Sequence, residues 1–244
     1  MKNSIKTQSA LIITLMLFIS TSYGQWNKGI KGNGNITTIT RTTSDYNAIR
    51  CSGSFDYILV SGNEGNIKIE GEENLLAYII TEIEYDGLVI KTKNNVNLKP
   101  SKNKTIKITI PFRDIERISL AGSGDLYNKD VINEEDLNIS LAGSGDIVLD
   151  VKTSNVKAKI AGSGDITLKG KTDYLEADVT GSGDFHGFDL ESNNTTVSVT
   201  GSGDAKVISN SFLKARVTGS GDIVYKGNPE KEDTKVAGSG SISN

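Results

Sequence analysis

One four-residue turn is written seven times in this chain, and its spacing restricts the fold more than any other feature. It stands first as Gly122-Ser123-Gly124-Asp125 and recurs with Gly143, Gly145 and Asp146. It returns with Gly162, Gly164 and Asp165, with Gly181, Gly183 and Asp184, with Gly201, Gly203 and Asp204, and with Gly219, Gly221 and Asp222. It closes in altered form as Gly238-Ser239-Gly240-Ser241. The first glycines lie 21, 19, 19, 20, 18 and 19 residues apart. A fixed period near 20 residues marks a solenoid, in which each repeat is too small to bury its own apolar face.

The residues around the turn give the shape of one repeat. Val156, Ala158 and Ile160 alternate with Lys157 and Lys159 before it, and Ile166 and Leu168 alternate with Thr167 and Lys169 after it. Strict alternation means a strand with one buried face. Each unit therefore reads as strand, Gly-Ser-Gly-Asp corner, strand and a variable polar second corner. The expected fold is all-β, a parallel β-helix or solenoid with coils of about 19–20 residues. Each strand pairs with its equivalent one coil along, at a spacing of about 4.8 Å. Glycine supplies the positive φ of a sharp corner. The aspartate can accept hydrogen bonds from corner N–H groups.

Residues 1–24 read as a signal peptide. Lys2 and Lys6 precede an apolar run from Ala10 to Ile19, and Ser22-Tyr23-Gly24 is a small-x-small cleavage site with Gln25 as the new N-terminus. The run is too short to span a bilayer, so no transmembrane segment is expected after cleavage. Loss of the two lysines leaves 25 basic against 30 acidic residues, a net charge of −5. That balance argues against nucleic acid as a partner. Cys51, the only cysteine, is expected to be a buried small hydrophobe. Residues 25–35 are expected to form an N-terminal tail or cap. Residues 36–244 are expected to form one solenoid domain, with divergent coils over 36–115 and regular ones over 116–244. Glu72 to Ile80 is compatible with either a short helix or a strand.

The chain also resembles a known family. Tyr46-Asn47-Ala48-Ile49 leads into Ser52-Gly53-Ser54-Phe55, followed by Glu73-Asn74-Leu75-Leu76 and Gly87-Leu88-Val89-Ile90. Ile106-Lys107-Ile108-Thr109-Ile110-Pro111 and the corner ladder complete the order. These features resemble the bacterial putative auto-transporter adhesins with a head GIN domain, over about residues 36–244. The resemblance implies a right-handed parallel β-solenoid on an exported protein, in the periplasm, on the outer-membrane surface or outside the cell. It also implies an adhesive or envelope role.

The residues offer little for catalysis. His186 is the only histidine, and a lone histidine on a strand is ordinary surface decoration. No catalytic, cofactor or metal residue is expected, and the corner glycines and aspartates are read as structural. Two rival readings are a carbohydrate-active β-helix enzyme and a calcium-binding repeat protein. Calcium takes six to eight oxygens, whereas each coil here offers one corner carboxylate. Repetitive outer faces of Ser, Thr, Lys, Asp and Asn suit glycans or cell-surface polymers as partners.

Overall fold

The computed structural model describes residues 29–93 and 96–244. The expected leader, with its cleavage point between Gly24 and Gln25, lies outside these residues.

Alternation carries directly into stacking. Along the strand Ile147–Gly162, Ile147, Leu149, Val151, Val156, Ala158 and Ile160 are at most 2% exposed. This strand pairs in parallel with Ile166–Gly181, setting Ile147 against Ile166, Leu149 against Leu168 and Ile160 against Val179. The register holds glycine on glycine through Gly162, Gly181, Gly201, Gly219 and Gly238. The result is a β-solenoid of about seven stacked turns joined by parallel bridges. Its core is narrow and mainly aliphatic, so every coil buries its apolar face only because its neighbours do.

Both glycines of a corner are required, for different reasons. Gly162 has φ of 137°, a conformation that side-chain-bearing residues rarely adopt. Gly164 sits where the coils come closest, and a Cβ there would lie 2.0 Å from the carbonyl oxygen of Gly145. The Gly143 carbonyl accepts from the N–H groups of both Ser163 and Gly164, at 2.8 and 3.1 Å.

The interior balances volume locally. Phe185 occupies the column of Ile166 and Ala205 and is 1% exposed. Gly187 makes room for its ring: a Cβ there would meet the Phe185 ring at 2.7 Å. The ladder shifts register beside this point, between Thr167 and Lys169. The extra residue accounts for the spacing of 20 after Gly181. At the second corner the inward positions are hydroxyls. Thr172, Ser192, Thr195 and Ser209 are buried, and each bonds a backbone carbonyl of its own or an adjacent corner. A buried hydroxyl without such a partner would be costly.

The N-terminal part departs from the expected run of divergent parallel coils. Strands Ala48–Gly53 and Asp56–Ser61 form a coil around the divergent corner, stacked on Arg117–Gly122 and Leu126–Asn128. On its other side lie Gly87–Thr92 and Lys107–Phe112, which come later in the chain. Stacking order therefore differs from chain order. The connecting segments cap this end with antiparallel strands: Ile36–Thr42 pairs with Asn66–Glu72, and Ile79–Glu84 pairs with Gly87–Thr92. Tyr85 and Asp86 turn the second hairpin with φ of 47° and 60°, the pattern of a type I′ turn. An antiparallel hairpin needs only such a tight turn, whereas a parallel return needs a long crossover.

The ambiguous Glu72 to Ile80 stretch resolves as a short helix, Glu73–Leu76, followed by the strand from Ile79. Arg41 bonds the carbonyls of Leu76 and Ile79 beside the helix end. Glu72, 1% exposed, accepts from the N–H of Gly34 at 2.6 Å and from Ser101 N–H and hydroxyl at 2.7 and 2.6 Å. That carboxylate ties the first described residues to the head, where Ile30–Lys31 pairs with Leu98–Lys99. Cys51 is buried in the core beneath the divergent corner.

Candidate functional site

The corner aspartates form a continuous ladder. Asp165 Oδ1 accepts the backbone N–H of Asp184 at 2.8 Å, and Asp184 Oδ1 accepts that of Asp204 at 2.8 Å. The same bond joins Asp125 to Asp146, Asp146 to Asp165, and Asp204 to Asp222. At the last rung Asp222 accepts from both the N–H and the hydroxyl of Ser241, at 2.6 and 2.9 Å. The corner removes each aspartate N–H from the strand ladder, and a side chain one coil earlier replaces the missing acceptor. One oxygen per carboxylate does this work, which leaves Oδ2 outside these bonds.

His186 stands two residues after Asp184, as the second residue of the strand Phe185–Gly201 that leaves the corner, and flanks the buried Phe185. Its Nε2 lies 3.8 Å from Asp165 Oδ2 on the preceding coil. Among the described residues, Asp165, Asp184 and His186 are one group whose ligating atoms all lie within 4.8 Å of one another. In the sequence His186 stands isolated, because its carboxylate partner is on another coil. The coil period itself carried the missing signal: a residue two positions past one corner lies beside the previous coil's aspartate.

A second feature joins residues that lie a coil apart in the sequence. A groove of about 520 Å³ runs along the second corner, across successive coils. Asp136, Asn155, Tyr174, Asn194 and Phe212 are in register along it. Five coils at a spacing of about 4.8 Å give a length of roughly 19 Å. Tyr174 is 57% exposed near the middle, and Asn155 and Asn194 flank it one coil to either side. Lys157 and Glu176 form an ion pair along the second row of the wall. Asn155 donates to Asp136 at 2.8 Å, which holds its amide in place. The arrangement is an elongated trough with one exposed ring and several planar polar groups. No helix among the described residues is long and apolar enough to cross a membrane.

Solved structures share this architecture. A structure described as a putative adhesin from Bacteroides fragilis NCTC 9343 is 24% identical with a TM-score of 0.81, covering 88% of this chain and 100% of the other. One described as a putative lipid binding protein from Parabacteroides distasonis ATCC 8503 is 28% identical with a TM-score of 0.73, covering 88% and 99%. A putative adhesin from Parabacteroides merdae ATCC 43184 is 23% identical with a TM-score of 0.70, covering 88% and 98%. Among curated proteins, none matches this chain. The family model described as "Putative auto-transporter adhesin, head GIN domain" matches residues 45–229, from the antiparallel head through the sixth regular corner, and the chain belongs to that family.

Proposed function

We propose that this is an exported, non-catalytic envelope protein that binds extended surface polymers, glycans in particular, along the second-corner groove. The observation that carries the reading is Tyr174: a large ring left 57% exposed between two in-register asparagines. Aromatic rings offer a flat apolar face to a sugar ring, and a few placed polar groups fix orientation. A trough along the solenoid axis presents similar groups coil after coil, which suits a repeating ligand. Family membership supports an adhesive role.

The lipid-binding description of one relative suggests another occupant. The core here is filled by side chains that are almost wholly unexposed, so an acyl chain would find its place on the outside. The external groove carries amides, carboxylates and a lysine, which favour a hydroxyl-rich ligand.

The mature chain on a glycan array, with a polysaccharide cleavage screen in parallel, tests the proposal. Binding that Tyr174→Ala reduces while the far-ultraviolet spectrum stays unchanged is the expected result. Binding indifferent to Tyr174→Ala would remove the groove from the account. Cleavage lost on His186→Ala or Asp165→Asn would make the protein an enzyme.

A further inference from the structure

We propose that Asp165, Asp184 and His186 form a site for one divalent transition-metal ion, with zinc or nickel as the class. The inference is independent of the groove and of its ligand. Three observations carry it.

The donors converge by construction. Asp184 closes the corner and His186 is the second residue of the strand Phe185–Gly201 that follows it, and Asp165 is brought beside them by the stacking of coils. All three ligating atoms lie within 4.8 Å of one another.

The carboxylates are fixed yet retain a donor. Each uses Oδ1 to accept the next coil's N–H at 2.8 Å, which orients the group and leaves the second oxygen outside the ladder. Hydrogen-bonded carboxylate ligands of this kind are typical of metal sites.

The imidazole stands off by a telling distance. His186 Nε2 and Asp165 Oδ2 are 3.8 Å apart, too far for a hydrogen bond. Two ligands on a tetrahedral ion with bonds of about 2.0–2.2 Å lie roughly 3.4 Å apart, so a small side-chain movement would close the site. The equivalent outward position holds Val148 and Thr167 on the two preceding coils and Lys206 on the next, so the imidazole is confined to one rung. One imidazole with two carboxylates suits zinc, nickel or copper better than calcium, which wants six or more oxygens.

Isothermal titration of the tag-free mature chain with zinc chloride, and separately with calcium chloride, tests the site. The account expects one zinc per chain and displacement of the His186 imidazole resonances on binding. Loss of an outer partner alone weakens metal sites by about 10–100-fold, so His186→Ala should cost at least about tenfold in zinc affinity. Asp184→Asn should weaken zinc binding as well. Asp222→Asn, on the same ladder but far from the histidine, should leave it unchanged and serves as the control for ladder damage. Absence of zinc binding up to about millimolar concentration, equal binding by His186→Ala, or calcium binding that needs His186 would each overturn the proposal.

Discussion

At a corner, the aspartate side chain takes over a task that elsewhere belongs to the main chain. The Asp184 N–H has no strand carbonyl to meet, and Asp165 Oδ1 receives it instead. Charged hydrogen bonds are worth about 1.5–3 kcal/mol. Because the Asp165 side chain is 41% exposed, Asp165→Ala should cost about 1–2 kcal/mol in urea unfolding, near the low end of that range. Asp165→Asn keeps one acceptor oxygen and should cost less. Neither loss should change between chelator and millimolar calcium, since the bond is to a backbone N–H. Gly164→Ala tests the packing of the same corner. Its Cβ would lie 2.0 Å from the Gly145 carbonyl oxygen, so the coils must separate, at a cost of about 3 kcal/mol or more.

The two ends of the stack finish differently, and each has its own test. At the C-terminal end the strand Lys231–Gly238 pairs with Phe212–Gly219, has no second strand partner among the described residues and is exposed throughout. Glu232 stands there in register with Leu213, and Thr234 with Ala215; Tyr225 donates to Glu232 at 3.0 Å. A charge at an inward position of an edge strand blocks pairing with another chain. Glu232→Leu combined with Thr234→Val should therefore raise self-association in light scattering, while the single Lys235→Ala should not. At the other end Glu72 clamps the head. Bonds from the Ser101 hydroxyl and N–H, then from the Gly34 N–H, together with Lys104, hold its carboxyl below the usual glutamate range. A lowered folded value means the contribution is complete above the ordinary glutamate range. It is lost as pH falls through the lowered folded value. Thermal melts should show a loss of stability in acid that Glu72→Gln reduces, because the amide does not titrate. An identical acid response in the variant would assign that response to other groups.

On the scale of the molecule, the sequence made legible whatever repeats locally. The corner period, the inward columns such as Ile147 on Ile166, and the polar second corner follow from alternation and glycine placement. The stacking order of the first coils did not, because nothing local to Ala48–Gly53 says that Gly87–Thr92 will lie against it. The hairpin at this end turns on Tyr85-Asp86, a pair without the Asn-Gly or Asp-Gly signature of such turns, so nothing local announced it. The groove and the His186 cluster were hidden for a related reason: their residues are about one coil apart in sequence and adjacent only after stacking. The central claim is that coils are held in register at the corners by carboxylates accepting the next coil's N–H, without help from an ion. Amide hydrogen exchange followed by NMR in chelator tests it most directly. The account predicts slow exchange at the amides of Asp146, Asp165, Asp184, Asp204 and Asp222, with Asp184 accelerated selectively by Asp165→Ala. Fast exchange at these amides in the wild type, or protection that arises only when calcium is added, would contradict it.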